Sequence, residues 1–152
     1  MGAGCHRLDT GGMGKASPSD AKTAAALRVF IVEDSQPVRE RLEELLASIE
    51  GTRCAGAADS AASAIQGIVD AHPDAVLLDI ALARGSGFDV LRALHVRAPD
   101  IPVYVLSNHS SEPYRRMALE LGASAFFDKT TQIGDLRELL SRRALRNKAP
   151  QH

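Results

Sequence analysis

The chain contains no tryptophan, and aromatic residues make up only 4% of its 152 residues. Its hydrophobic core must therefore be built from Ala, Val, Leu and Ile, and a chain of this length is typical of one globular domain. Lysine and arginine number 18 against 19 acidic residues, a balance that excludes polyanion binding driven by bulk charge. Cys5 and Cys54 are too few for the disulfide framework of small secreted domains, and no Cys/His cluster has zinc-like spacing.

Long apolar segments are also lacking. No stretch approaches the roughly 18 residues that span a bilayer, and the amino terminus lacks the apolar core of a signal peptide, so we expect a cytoplasmic protein without membrane association. Residues 1–26 are rich in Gly, Ser, Thr and Ala and cannot bury enough surface to become ordered. We therefore predict a flexible leader over residues 1–26, a folded domain over 27–146 and a short basic tail over 147–152.

From Arg28 onward, short apolar runs alternate with longer stretches of helical periodicity. The runs predict strands over residues 29–32, 53–56, 75–78, 101–106 and 124–127. Three of these runs are continuously apolar, which is typical of parallel strands covered on both faces. The second run contains small residues and has the weakest strand propensity.

Each strand is followed by a stretch with the spacing of an amphipathic helix. The predicted helices begin near Pro37, near Asp59 or Ser60, before Phe88, after Ser110 and Ser111, and near Thr131. Their apolar faces are expected to include Val96 on the third helix, Tyr114 and Met117 on the fourth, and Leu145 on the fifth. Five strand–helix repeats predict a doubly wound, flavodoxin-like α/β fold, with a five-stranded parallel sheet in the order 2-1-3-4-5 and five helices.

Polar residues stand where four of these strands end. Glu33 and Asp34 follow the first strand, Asp79 the third, Ser107 the fourth and Lys129 the fifth. A doubly wound sheet places its functional crevice at the carboxyl ends of its strands, where the first and third strands are neighbours. Three carboxylates, a hydroxyl and a lysine are therefore expected to meet there.

This set of side chains indicates phosphoryl transfer. Closely spaced carboxylates repel one another, and their hard oxygen atoms suit Mg²⁺, which keeps open positions for phosphate oxygens. An aspartate would be the nucleophile, Lys129 would neutralise the phosphoryl oxygens and Ser107 would donate a hydrogen bond. Taken singly, each residue also has an ordinary explanation as a helix cap, a charged helix start or a solvated lysine.

Residues 28–146 resemble the receiver domain of bacterial two-component response regulators, in which the same residue types end the same strands in the same order. The resemblance implies that Asp79 is the phosphoacceptor, and that Ser107 and Lys129 assist the transfer. It implies that Asp34 and Asp79 ligate Mg²⁺ with the backbone carbonyl of Ala81, while Glu33 acts mainly through water. It also implies a phosphohistidine donor on a sensor histidine kinase or a histidine phosphotransfer protein.

The resemblance further implies a switch. Once Asp79 is phosphorylated, the Ser107 hydroxyl would move toward its oxygens and the ring of Phe126 would turn inward, which biases a pre-existing equilibrium. Phe126 is equally well explained as an ordinary core residue. Output is expected through contact with a downstream protein, made by a monomer or a phosphorylation-dependent dimer at the face formed by the fourth helix, fifth strand and fifth helix.

Three features depart from the family pattern. The loop after Asp79 lacks the common Met-Pro pair but keeps Gly87. Thr130 follows the lysine where the family usually has proline, often with a cis bond. A non-proline cis bond costs about 2.5–4 kcal/mol, so we expect a trans bond between Lys129 and Thr130 and a differently shaped loop. The two positions that flank the attacking water in this family are here Ala81, which offers no side-chain donor, and His109, which is also explained as a helix cap.

The last residues bear on output and on the alternatives. The residues after Leu140 carry four positive charges and no negative one. They are too few to form a helix-turn-helix unit. We therefore expect a single-domain protein that does not bind DNA and catalyses only its own phosphorylation and dephosphorylation. A phosphorelay shuttle is the main alternative. A dehalogenase-like, Mg²⁺-dependent phosphatase would need an acid at Ala81, and a dinucleotide enzyme would need glycines where Glu33 and Asp34 stand.

Overall fold

The computed structural model describes residues 26–108 and 112–148. Strands and helices alternate strictly along this part of the chain: β1 (Leu27–Val32), α1 (Gln36–Ala47), β2 (Thr52–Ala58), α2 (Ala61–Ala71), β3 (Ala75–Asp79), α3 (Gly87–Arg97), β4 (Val103–Ser107), α4 (Glu112–Glu120), β5 (Ala125–Asp128) and α5 (Ile133–Lys148). The predicted leader, apart from its last residue, lies outside the described residues, as do His109, Ser110 and Ser111.

The strands form one parallel sheet in the order β2-β1-β3-β4-β5. This confirms the predicted doubly wound architecture with five strands and five helices. The chain reverses its direction of winding between β1 and β3, which are hydrogen-bonded neighbours with Val32 beside Leu78. The residues that follow β1 and end β3 therefore meet at the point where such sheets bind ligands.

Two apolar layers cover the sheet. On one face, α2, α3 and α4 pack through side chains such as Ile68, Leu91 and Ala118. On the other face, α1 and α5 pack through side chains such as Leu46 and Leu140. Every residue of β3 and β4 is buried, which explains why those segments read as continuous apolar runs.

Some predicted helix bounds and faces were wrong. Val96 and Leu145 are 77% and 66% exposed, and Tyr114 and Met117 are also exposed. Val96 lies two residues after the buried Leu94, about 200° around the helix, and is thereby turned toward solvent. The sequence predicts a first helix that continues until Gly51 stops it, but α1 ends at Ala47. α5 begins at Ile133, two residues after Thr131, because a hydrogen-bonded turn occupies the residues before it. Within the described residues, no helix is long and apolar enough to cross a membrane.

Candidate functional site

The buried polar side chains of the described chain gather at one place. Glu33, Asp79 and Ser107 are the only polar or charged residues in this part that are buried, with 1%, 5% and 1% of their surfaces exposed. Glu33 directly follows β1, whereas Asp79 and Ser107 are the last residues of β3 and β4. Burial of polar groups is costly unless they are paired, so their concentration at the carboxyl edge of the sheet marks this edge as a functional site.

The acidic residues form a compact cluster. Glu33, Asp34 and Asp79 each offer a carboxylate oxygen, and these oxygen atoms all lie within 4.8 Å of one another. The structure thus brings together the three carboxylates that the sequence places after β1 and at the end of β3. Oxygen donors at this spacing match the preference of a hard divalent cation such as Mg²⁺.

Lys129 connects two members of the cluster. Its Nζ atom lies 2.9 Å from Oε1 of Glu33 and 3.2 Å from Oδ2 of Asp79. Only 12% of the lysine side chain is exposed, so solvent screens these ion pairs less than it screens pairs at the surface. One ammonium group therefore faces two of the three clustered carboxylates.

The electrostatic balance shifts the pKa values of both partners. Burial raises the pKa of Glu33 above 4.5, the charge of Asp79 raises it further, and the hydrogen bond from Lys129 opposes both effects. Burial lowers the pKa of Lys129, but its hydrogen bond to Glu33 and the charges of Asp79 and Glu33 outweigh this, so its pKa lies above 10.5. The lysine therefore stays charged at neutral pH.

The turn after β1 is held by backbone contacts. The Glu33 amide donates to the carbonyl of Ala58 at 3.0 Å, and Oε2 of Glu33 accepts from the Ser35 amide at 3.2 Å. Arg39 donates from Nη1 to the Glu33 carbonyl at 2.8 Å. Sequence reasoning missed Arg39, because a basic residue on the first helix is usually a solvated side chain and nothing in its spacing indicates a carbonyl partner.

The loop after β3 is tied to the same cluster. The Ala81 amide donates to Oδ1 of Asp79 at 3.1 Å, and the Ala83 amide donates to Oδ2 of Asp34 at 2.7 Å. Ala81 therefore stands beside the phosphoacceptor predicted from the sequence. The backbone also passes very close to Gly87, where an added Cβ would lie 2.6 Å from the Asp79 carbonyl oxygen.

The ends of β4 and β5 complete the site. The Lys129 amide donates to the carbonyl of Ser107 at 2.9 Å, which links the last two strand ends. Phe126 is buried in the layer that packs against α2, α3 and α4. No cis peptide bond occurs among the described residues, so the bond between Lys129 and Thr130 is trans as predicted.

Comparison with known proteins identifies the family. The model of the response regulator receiver domain matches residues 29–141 of this chain. The chain belongs to the response regulator receiver family. The receiver match includes β1 from Val29 onward, all of β2 to β5 and each strand-end residue described above.

Curated relatives share the receiver with longer chains. This receiver is 31% identical over 128 residues to the DNA-binding transcriptional activator DevR/DosR of Mycobacterium tuberculosis, covering 78% of this chain and 59% of the relative. It is 43% identical over 111 residues to protein-glutamate methylesterase/protein-glutamine glutaminase 6 of Anaeromyxobacter dehalogenans, covering 71% of this chain and 31% of the relative. The match to the response regulator GacA of Pseudomonas viridiflava covers 51% of the length of that relative. The chain therefore spans about a third to three fifths of these relatives.

Solved structures agree on the fold. The receiver domain of NtrX from Brucella abortus is 29% identical with a TM-score of 0.67, covering 78% of this chain and 98% of that one. A CheY-like receiver domain protein from Methanospirillum hungatei is 22% identical with a TM-score of 0.71, and the match covers 81% of this chain and 97% of that one.

The prediction that this receiver acts without an effector domain of its own stays a prediction.

Proposed function

We propose that this receiver accepts a phosphoryl group on Asp79 from a phosphohistidine of a sensor histidine kinase or a phosphotransfer protein. The observation that carries the proposal is the buried Asp79 carboxylate, which contacts the Lys129 ammonium group and lies in one cluster with the carboxylates of Glu33 and Asp34. The family match supports a role in two-component signalling. The position of Asp79 at the carboxyl end of β3, beside β1, is where this fold places its chemistry.

The transfer is a displacement at phosphorus. A carboxylate oxygen of Asp79 attacks the phosphorus atom, and the new O–P bond forms while the P–N bond to the donor imidazole breaks. The imidazole nitrogen leaves with the electron pair of that bond and takes a proton from water. Oδ1 of Asp79 accepts a hydrogen bond from the Ala81 amide and Oδ2 contacts Lys129, so the carboxylate is oriented before the donor arrives.

The acidic cluster fits a divalent cation. Three carboxylates lie within 4.8 Å of one another, and Lys129 neutralises at most one of their charges. Glu33 and Asp34 would hold Mg²⁺ together with Asp79 and the backbone carbonyl of Ala81, with Glu33 acting mainly through water. When bound, Mg²⁺ would neutralise charge on the clustered carboxylates and on the transferring phosphoryl group.

Lys129 and Ser107 act on the phosphoryl oxygens. The raised pKa of Lys129 keeps its ammonium group charged, and its position 3.2 Å from Oδ2 of Asp79 places that charge beside the carboxylate that would receive the negatively charged phosphoryl group. The Ser107 side chain is buried at the same edge and would donate a hydrogen bond to the phosphoryl group. Its movement toward the phosphate would be the start of the switch.

Output through a protein contact fits the exposed surface of this receiver. Tyr114 and Met117 on α4 are large apolar side chains exposed to solvent, and a neighbouring edge is formed by β5 and α5. Phe126 on β5 is already buried, so a change of its rotamer after phosphorylation would repack side chains beneath this face. The face made by α4, β5 and α5 is the proposed contact for a downstream protein.

Labelling by a small acyl phosphate tests the phosphoacceptor. Acetyl phosphate should label the wild-type chain in the presence of Mg²⁺, and Asp79→Asn should abolish the label without loss of the fold. Asp100→Asn is the matched control, because Asp100 is 74% exposed in the loop before β4, at the opposite end of the strands. A labelled Asp79→Asn protein, or an unlabelled wild type, would refute the assignment.

A further inference from the structure

A network of hydrogen bonds around Asp128 builds the turn that follows β5. Oδ1 of Asp128 accepts from the Thr130 amide at 2.7 Å, from the Thr130 hydroxyl at 2.6 Å and from the Thr131 amide at 3.2 Å. Gln132 closes the turn from the other side. Its side-chain Oε1 accepts from the Asp128 backbone amide, and its backbone amide donates to the Asp128 carbonyl, both at 2.9 Å. These bonds join Asp128 to the last residue before α5 in both directions.

Lys129 lies inside this turn. Its amide donates to the Ser107 carbonyl on β4, and the residues on either side of it are bound to one another through the Asp128 carboxylate. The Lys129 backbone is therefore fixed both by the sheet and by the turn. From that fixed point the side chain reaches Glu33 and Asp79, at 2.9 Å and 3.2 Å.

The identity of residue 130 makes the turn depend on Asp128. Threonine supplies an amide N–H and a hydroxyl to the carboxylate, whereas a proline at this position would have no N–H to donate. A proline would restrict the turn by its ring, while threonine leaves the backbone more freedom. In this chain the Asp128 carboxylate restricts the turn instead. Aspartate commonly does this by accepting a hydrogen bond from the backbone amide two residues later in the chain.

We infer that Asp128 is a positioning residue: its carboxylate orders the turn from Thr130 to Gln132 and so holds the Lys129 ammonium group between Glu33 and Asp79. This inference rests on the proposed function, because it gives Lys129 its task during transfer to Asp79. Asp128 acts through the turn, because its carboxylate binds the Thr130 and Thr131 amides and the Thr130 hydroxyl.

Two substitutions at Asp128 separate geometry from charge. Asp128→Ala removes the acceptor, and should slow labelling by acetyl phosphate at saturating Mg²⁺ by about 10- to 100-fold, since misplacement of a group by about 1 Å has an effect of this order. Asp128→Asn keeps an oxygen acceptor but loses the charge, and should restore most of the rate. Thr130→Val, which keeps the N–H but removes the hydroxyl, should have a smaller effect than Asp128→Ala.

A second readout does not require phosphorylation. The ¹⁵N NMR signal of the Lys129 ammonium group should be observable in the wild type, because the group is mostly buried and bonded to two carboxylates. It should disappear in Asp128→Ala through faster exchange with water and persist in Asp128→Asn. If the wild type takes up no label, the proposed function fails, while this signal still tests the positioning role.

The inference is overturned if Asp128→Ala keeps both the wild-type labelling rate and the Lys129 ammonium signal. It is also overturned if Asp128→Asn loses as much of both as Asp128→Ala does, because charge and not turn geometry would then be responsible. Amide NMR spectra of each variant show whether the sheet is intact. Should Asp128→Ala fail to fold, an unchanged ammonium signal and rate in Thr130→Val would contradict the inference.

Discussion

At the level of single residues, the site concentrates negative charge where the fold is least able to solvate it. Glu33 and Asp79 are both buried, and Asp34 contributes a third carboxylate within 4.8 Å. Lys129 offsets the effects of burial and of this repulsion only in part, since the pKa of Glu33 stays above 4.5. A site arranged in this way is prepared to take up further positive charge.

The pKa of Glu33 is raised first by burial and further by the charge of Asp79. In metal-free protein, the carboxyl carbon of Glu33 should titrate above 4.5, because of burial and the charge of Asp79. Lys129→Met should raise this pKa further, since the lysine hydrogen bond lowers it. The folded pKa exceeds the unfolded one, so the contribution of Glu33 to the free energy of unfolding is fully present below 4.5 and is lost as pH rises through the folded pKa.

Carbon-13 NMR of the Glu33 carboxyl group in EDTA measures this pKa. Arg92→Met is a suitable control for Lys129→Met, because Arg92 is an exposed cation on α3 that pairs with Asp89. A Glu33 midpoint below 4.5, or one that falls in Lys129→Met, would contradict the described balance of charges.

We propose that Ser107 acts in the switch more than in the transfer. Ser107→Ala should still be labelled by acetyl phosphate, because Asp79, Lys129 and the acidic cluster remain. It should reduce the chemical-shift changes that phosphorylation produces in the amides of α4, since the hydroxyl that follows the phosphate is gone. Equal shift changes in the wild type and Ser107→Ala, at equal labelling, would rule out this role.

The site residues differ in how visible they are in the sequence. Glu33, Asp34, Asp79, Ser107 and Lys129 could be predicted because a parallel sheet collects the residues that follow its strands. The contact of Arg39 with the Glu33 carbonyl could not be predicted, because it depends on where a flexible side chain meets a backbone atom on another element. The turn around Asp128 could not be predicted either, because no sequence motif identifies its hydrogen bonds.

At the level of elements, close packing of glycines against the ring of Phe30 sets how closely α2 approaches β1 and β2. A Cβ at Gly67 on α2 would lie 2.8 Å from Cζ of Phe30, and a Cβ at Gly56 on β2 would lie 2.9 Å from Cε2 of the same ring. Both distances are too short for real atoms, so the two glycines give the Phe30 ring its space.

Gly67→Ala should therefore lower the free energy of unfolding. Alanine gains about 1 kcal/mol of helix propensity over glycine, but overpacking a core costs about 1–3 kcal/mol, so we expect a net loss. Phe30→Leu removes the outer ring atoms and should make Gly67→Ala less destabilising in a double-mutant cycle. Urea unfolding of the four proteins measures the coupling. A Gly67→Ala variant more stable than wild type, or the absence of coupling, would contradict the packing described here.

The fold was largely predictable, but the faces of its helices were less so. Continuous apolar runs indicate β3 and β4 because both are covered on two sides. β2 was harder to recognise, since its seven residues include small side chains that are only partly buried and its pairing with β1 shifts after Val29. Val96 and Leu145 look like core residues by composition alone, and only the helical angle separates them from Leu94 and Leu140.

At the level of the whole molecule, occupation of the acidic cluster should stabilise the fold. A ligand that binds only the folded state adds about 2.7 kcal/mol at 100 times its dissociation constant. Thermal unfolding in Mg²⁺ should therefore have a higher midpoint than in EDTA, and Asp34→Asn should reduce this difference. Asp100→Asn should keep the whole difference, because its side chain is highly exposed and lies before β4, at the opposite end of the strands from the cluster. An equal effect of Mg²⁺ on all three proteins would exclude the cluster as its site.

Helices pack on both faces of the sheet in this receiver, and the charged cluster lies at the carboxyl ends of the strands between the two helical layers. Elements of both layers surround the cluster: the turn into α1 carries Glu33, and the loop into α3 carries Ala81 and Ala83. A change of charge at Asp79 can therefore affect the packing on either face. The whole proposed function therefore depends on phosphorylation of this one carboxylate.

The measurement that tests this claim most directly is the location of the phosphoryl group. The wild-type chain is incubated with acetyl phosphate, with and without Mg²⁺, and the acyl phosphate is trapped by borohydride reduction before peptide mass spectrometry. The expected result is a single modified position, Asp79, labelled in Mg²⁺ and much less in EDTA. Modification at Asp34 or at exposed carboxylates such as Asp100, or labelling that does not depend on Mg²⁺, would contradict the account.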